Sequence, residues 1–233
     1  MSRINPNSQY SAIALGSIPA RIVTYQRKRM FAKFLESTGV SENDSVLDVG
    51  ATSDCTYESS NYLEAWYPFK DKVTALGIDD ASFLEHKYPG MQFVRANGLE
   101  IPFEDMHFDV VHSSAVIEHV GSFESQTKFL KECARVARKA VFLTTPNRWF
   151  PIEFHTVIPF LHWAKKPMHR RILRALGMSF FAMEENLNLL ECRDLRCIAS
   201  QLPDFNVQIS SVALGGWPSN LLLTAHRKSF CQR

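Results

Sequence analysis

The sequence predicts an α/β domain built on a doubly wound, mostly parallel sheet. Three stretches carry that expectation. Ser45-Val46-Leu47-Asp48-Val49-Gly50 is a short apolar run ending in an acid and a glycine, the pattern of a buried strand that turns sharply at its carboxyl end. Val73-Thr74-Ala75-Leu76-Gly77-Ile78-Asp79 repeats the plan about thirty residues later. Phe108-Asp109-Val110-Val111-His112-Ser113-Ser114 is a third strand and runs straight into Ala115-Val116-Ile117-Glu118-His119-Val120. Helical-period segments lie between them, and strands alternating with helices are wired as a parallel sheet.

In chain order, residues 8–20 read as an irregular lead-in. From Arg21 to Thr38, Ile22, Val23, Tyr25, Met30, Phe31, Phe34 and Leu35 recur at helical spacing, and Gly39 supplies a stop. Tyr57 to Trp66 reads as a helix ended by Pro68. A short helix is expected at Ser82–Lys87 and a strand at Met91–Arg95. Phe123 to Val136 is amphipathic, with Phe129, Leu130, Cys133 and Val136 on one face. Ala140–Thr145 is the fifth strand, ended by Pro146. The alternation then breaks: Asn147–His155 is aromatic-rich, and a basic amphipathic segment follows at Lys165–Leu176. A helix near Glu191–Ser200, a strand at Phe205–Ser211, a turn at Gly215-Gly216-Trp217-Pro218 and a strand at Asn220–Arg227 close the chain. Without repeats or flexible linkers, this is one domain over 1–233. It comprises a lead-in (1–40), a core (41–147), a helical, aromatic-rich insertion after the fifth strand (148–190) and a closing helix and strand pair (191–233).

A chain of 233 residues with 45% hydrophobic content can bury a sizeable core. It has no run of 18 uninterrupted apolar residues, which argues against a spanning helix. Met1-Ser2-Arg3-Ile4-Asn5-Pro6-Asn7 lacks the basic-then-apolar layout of a secretory signal. The five scattered cysteines suit a reducing compartment, and no spacing among them matches a zinc site. The expected location is the cytoplasm. The net charge of +2 hides an asymmetry: residues 41–132 hold 17 acids against 6 bases, whereas residues 148–174 hold 6 bases and one acid. Basic flanks of this kind can mark an anionic partner.

Asp48-Val49-Gly50, Asp79, Ala96-Asn97-Gly98-Leu99, Ile101-Pro102-Phe103-Glu104-Asp105-Met106-His107-Phe108-Asp109 and the EHV of Glu118-His119-Val120 together resemble the class I S-adenosylmethionine-dependent methyltransferases. The resemblance is to the small-molecule, type 11 branch. It implies a Rossmann-like sheet of seven strands and S-adenosylmethionine as cofactor. It also implies that Asp79 binds the ribose hydroxyls and that Asn97, with the backbone of Gly98 and Leu99, meets the adenine edge. Asp48, Gly50, Ala51 and Ser113 complete the implied cofactor set. The chain departs from the family's Asp-x-Gly-x-Gly-x-Gly turn, because Ala51-Thr52-Ser53-Asp54 follows Gly50. Asp54 there is read as a helix cap, and Tyr10 or Tyr25 as residues that could reach the ligand.

His119 is the candidate general base, and Arg148 and His155 are candidate substrate contacts. No cluster of metal ligands is visible, and the reaction requires none. The insertion is read first as a lid over the pocket of a small-molecule or amphiphilic, lipid-linked acceptor. Membrane-surface contact by a peripheral protein comes second, and homodimer contact third. The absence of Gly-x-Gly-x-x-Gly after the first strand argues against a nicotinamide oxidoreductase. The absence of an Asn/Asp-Pro-Pro-Tyr/Phe signature argues against a nucleic-acid substrate. A catalytically silent binding protein with a degenerate glycine loop is the competing reading.

Overall fold

The computed structural model describes residues 18–228 except Thr56, with side chains described from Ala20 onward. The expectations about Tyr10 and the amino-terminal lead-in lie outside these residues, apart from the start of the first helix. That helix, α1 (Ile18–Thr38), begins earlier than the apolar periodicity suggested and ends at Gly39, where φ is +63°. The sheet comprises β1 (Val46–Val49), β2 (Val73–Gly77), β3 (Gln92–Arg95), β4 (Phe108–Ser114), β5 (Ala137–Pro146), β6 (Phe205–Leu214) and β7 (Trp217–Arg227). Its order is β3-β2-β1-β4-β5-β7-β6, with β1 to β5 parallel and β7 antiparallel to both β5 and β6. The order reverses at β1, so β1 and β4 diverge at their carboxyl ends and open the crevice where such sheets bind ligands.

Period-2 alternation sends successive strand residues to opposite faces. Leu47, Val49, Val111, Val141 and Leu143 face one layer, built by α4 (Phe123–Val136) and α6 (Cys192–Ala199) through Phe129, Leu130, Leu195 and Ile198. Val46, Val110, Phe142 and Leu222 face the other, built by α1, α2 (Tyr62–Trp66) and α3 (Phe83–Lys87) through Met30, Phe34, Leu63 and Leu84. The expected helix over Tyr57–Trp66 is half of that length, because a 3₁₀ turn at Glu58–Asn61 precedes α2. The segment from Asn147 to Leu190 contains one regular helix, α5 (Lys166–Ala175), and one 3₁₀ turn, Leu161–Trp163. Most of the insertion is therefore irregular. Bridges Asn147↔Leu190 and Ile152↔Pro159 pin it to the sheet end and to itself. The final turn is shorter than expected, since β7 already starts at Trp217 after Gly215-Gly216.

Among the described residues, no helix is long and apolar enough to cross a membrane.

Candidate functional site

A cavity of about 550 Å³ opens at the carboxyl ends of β1, β2 and β4. Its floor is Gly50, Ala51 and Gly77, its sides are Ile78, Asp79, Ala96, Asn97 and Gly98, and its roof comes from α1 through Val23, Gln26, Arg27 and Met30. The size suits a nucleoside-sized ligand.

Gly50 makes the floor approachable. Its φ of +115° is a backbone state L residues rarely adopt, and an added Cβ would stand well under 3.0 Å from the Val116 side chain. The N–H groups of Gly50 and Ala51 both donate to the Leu76 carbonyl, at 2.7 and 2.9 Å, and lock the turn to β2. The turn that follows is tied down by side chains. Thr52 N–H donates to Asn61 Oδ1 at 2.8 Å, and Asn61 Nδ2 donates back to the Thr52 carbonyl at 2.9 Å. Asp54 accepts from Ser60 Oγ at 2.7 Å, which fixes the turn from its far side. It is a side-chain brace here, where the sequence suggested a helix cap.

Asp79 and Asn97 lie at one end of the cavity, beside the exposed apolar Ile78. Arg27 lies on the wall near Asp54 and donates to Ser59 Oγ at 3.3 Å. Burial lowers the Arg27 pKa, while Tyr62 and Asp54 act to raise it. Tyr25, in contrast, is 57% exposed and outside the cavity lining.

Asp48, Leu99, Ser113 and Arg148 are not among the lining residues. Asp48 stands in register with His112 on the neighbouring strand, and its Oδ1 is paired with His112 Nδ1. Tyr62 Oη lies 2.8 Å from His112 Nε2, and the buried Glu64 carboxyl packs against that of Asp48. Burial raises the Asp48 pKa to about 7, raises Glu64 well above its ordinary value, and lowers His112 to about 4. Ser113 Oγ donates to the Val49 carbonyl at 2.7 Å, and Leu99 N–H donates to Asn97 Oδ1 at 2.9 Å. Arg148 donates to the carbonyls of His162 and Ala164 at 3.3 and 2.9 Å, holding the insertion together. Asp48 and Ser113 thus support the cavity from beneath, and Arg148 braces the insertion.

The other end of the cavity is closed by the insertion through Phe154, His155 and Phe180. His119 and Val116 reach it from the turn after β4, where Ala115 sits at φ +56° and swings the chain across the strand end. His119 Nδ1 donates to the Asn186 carbonyl at 2.6 Å, and burial together with His155 holds its pKa at about 3. A nitrogen that acidic in its protonated form is a poor general base. His155 Nδ1 lies 2.6 Å from Glu153 Oε1; burial lowers its pKa, but Glu153 outweighs this and the net shift is upward. Glu153 also accepts the N–H groups of His155 and Thr156, at 2.8 and 2.6 Å.

Sequence reasoning missed Gln26, Arg27, Val116, Phe154 and Phe180 in the lining, and Glu153 behind His155. Helical periodicity reports which residues of α1 are apolar, not which polar ones face a crevice. The aromatic density of 149–154 was the available signal for Phe154.

Comparison with known proteins agrees with this geometry. Residues 47–144 match the family model described as the methyltransferase domain. Two curated proteins from strains of Mycobacterium tuberculosis, each described as a probable S-adenosylmethionine-dependent methyltransferase, are 33% identical over 108 residues. That stretch is 45% of this chain, and the chain spans about a third (36%) of the length of those relatives. Magnesium protoporphyrin IX methyltransferase from Synechocystis, solved with bound S-adenosylhomocysteine, superposes with a TM-score of 0.60 at 13% identity, covering 96% of this chain and 93% of that one. The PH0226 protein from Pyrococcus horikoshii gives 0.59 at 15% identity, covering 97% of both chains. This chain therefore shares the fold of those solved structures. Over its core the chain is similar to S-adenosylmethionine-dependent methyltransferases.

Proposed function

We propose that the protein transfers a methyl group from S-adenosylmethionine to an amphiphilic acceptor held between the crevice and the insertion. The observation that carries this reading is the continuity of one cavity from Asp79 and Asn97 to Phe154, His155 and Phe180. S-adenosylmethionine, when bound, supplies a methyl group on a sulfonium that is already an activated leaving group. The residues present fit it: Asp79 can accept from ribose hydroxyls, Ile78 offers apolar surface to the base, and Arg27 can hold a carboxylate. The chain's own task is then positioning and exclusion of water. Phe154 and Phe180 shield the acceptor, and His119, neutral and fixed through Nδ1, orients it.

The amphiphilic choice rests on the outer surface of the insertion. Trp149, Ile152, Val157, Phe160, Met168 and Leu176 are exposed there beside the exposed cations Lys165, Arg171 and Arg174. Apolar groups amid cations suit an anionic lipid surface. The test is S-adenosylhomocysteine formation with hydroxyl- and amine-bearing amphiphiles presented in anionic or neutral vesicles. Turnover is expected to be faster on anionic vesicles and to fall when Lys165, Arg171 and Arg174 are changed to Glu. Cofactor binding with no turnover on any amphiphile would favour the catalytically silent reading. Turnover on soluble acceptors, unaltered by those changes, would remove the membrane surface.

A further inference from the structure

At the acceptor end of the cavity three ligand-type groups lie close together: His119 and His155 line it, and Glu118 is buried behind them. Glu118 is fully buried in the turn after β4; its Oε2 accepts from Thr145 Oγ1 at 2.9 Å, and its Oε1 has no hydrogen-bond partner. His119 commits Nδ1 to the Asn186 carbonyl and presents Nε2 3.9 Å from Glu118 Oε1. His155 commits Nδ1 to Glu153, itself buried and held by two backbone N–H groups. The two imidazole rings stand nearly perpendicular, at 86°, with centroids 4.7 Å apart. One ligand atom from each of Glu118, His119 and His155 lies within 4.8 Å of the other two. Sequence order hid this set, because His155 comes from the insertion.

We propose that Glu118, His119 and His155 bind one divalent transition-metal ion of the zinc type at the acceptor end of the cavity. Three features support it besides proximity. A fully buried carboxylate oxygen without a partner is costly, and a cation would satisfy it. Each histidine has its other ring nitrogen tied to an oxygen, one a backbone carbonyl and one a carboxylate, which is how metal-binding imidazoles are oriented. Three protein ligands with the remaining position open to a cavity is the arrangement of catalytic rather than structural sites. Two imidazoles and one carboxylate favour Zn²⁺, Fe²⁺ or Mn²⁺ over Mg²⁺ or Ca²⁺. Metal–ligand bonds of about 2.0–2.2 Å need only a modest contraction of the present spacing.

The role of the ion rests on reading this end as the acceptor chamber, and it narrows the acceptor to an oxygen compound. A hydroxyl in the open position would lose its proton to water under the influence of the cation. Its oxygen would then form the new C–O bond while the carbon–sulfur bond breaks and the electron pair stays on sulfur.

The test is calorimetric titration of chelator-stripped, full-length protein with Zn²⁺, alongside Co²⁺ absorption spectra. One Zn²⁺ per chain is expected, weakened at least tenfold in Glu118→Gln and in His155→Ala. Glu153→Gln should weaken it by about 10–100-fold, as for other outer-shell partners. All three variants should keep the wild-type rise in melting midpoint with S-adenosylhomocysteine, which shows they are folded. No Zn²⁺ uptake by the wild type, or uptake unchanged in Glu118→Gln and His155→Ala, would overturn the proposal. So would thiolate-to-cobalt charge-transfer bands from the exposed Cys55 or Cys197. One-to-one Zn²⁺ binding without any S-adenosylhomocysteine response would keep the metal site and remove the methyltransferase reading.

Discussion

Replacing Gly50 by Ala should damage this protein twice over, and the two effects can be separated. The φ of +115° at Gly50 is strained for any L residue, worth about 1–3 kcal/mol. The added methyl also overlaps Val116 Cγ2, and overpacking of that kind costs about 1–3 kcal/mol. Relief by backbone movement is blocked, because it would break the two N–H bonds from Gly50 and Ala51 to Leu76. The expected loss is therefore about 2–6 kcal/mol, a large share of the 5–15 kcal/mol of a typical domain. Urea unfolding followed by circular dichroism would measure it, with the m-value checked for constancy. Val116→Ala in the same chain should remove the overlap and return about 1–3 kcal/mol as a favourable coupling in a double-mutant cycle, leaving the backbone strain. A Gly50→Ala protein within about 0.5 kcal/mol of the wild type, or zero coupling to Val116, would refute this account of the turn.

Two further predictions concern the support of the crevice. Asn61→Ala removes both bonds to the Thr52 backbone; a cost of about 1–3 kcal/mol in urea unfolding is expected, with weaker S-adenosylhomocysteine binding by calorimetry. Unchanged binding would mean the turn is ordered without Asn61. The second concerns the buried carboxyls. Because burial raises the folded-state pKa values of Asp48 and Glu64, the folded chain holds more protons than the unfolded one, so stability falls as pH rises from about 4 through 7. His112, lowered to about 4, has the opposite effect, costing stability as pH falls below its unfolded value. Glu64→Gln should flatten that loss, seen as urea midpoints that decline less as pH rises than in the wild type; parallel declines would contradict it.

The strands were legible because each is an apolar run ended by glycine, proline or an acid. Phe123–Val136 was legible because its apolar face repeats with helical period and Ser122 caps it, accepting from Ser125 N–H. What escaped was set by contacts distant in sequence. Asp48 reads locally as a ligand-type acid at a strand end, yet its partner His112 is its register neighbour across β1 and β4. The loss of two glycines reads either as a tighter, hydroxyl-lined turn or as decay, and the sequence does not show that Asn61, outside the motif, ties the turn down. The insertion showed its aromatic and basic content but not its irregular path, since its shape depends on bridges such as Arg148 to the carbonyls of His162 and Ala164. Glu118, His119 and His155 converge for the same reason: two follow β4, and the third is delivered by a loop with no regular period.

The most direct measurement is thermal unfolding of the purified protein with S-adenosylhomocysteine, with NAD as the control nucleotide and Asp79→Ala as the control protein. At about one hundred times its dissociation constant a ligand stabilises the folded state by about 2.7 kcal/mol, a readily visible shift in midpoint. The account predicts that shift for S-adenosylhomocysteine alone, and its loss in Asp79→Ala. A well-folded protein whose midpoint ignores S-adenosylhomocysteine, or an equal shift in Asp79→Ala, would contradict the crevice as a cofactor site.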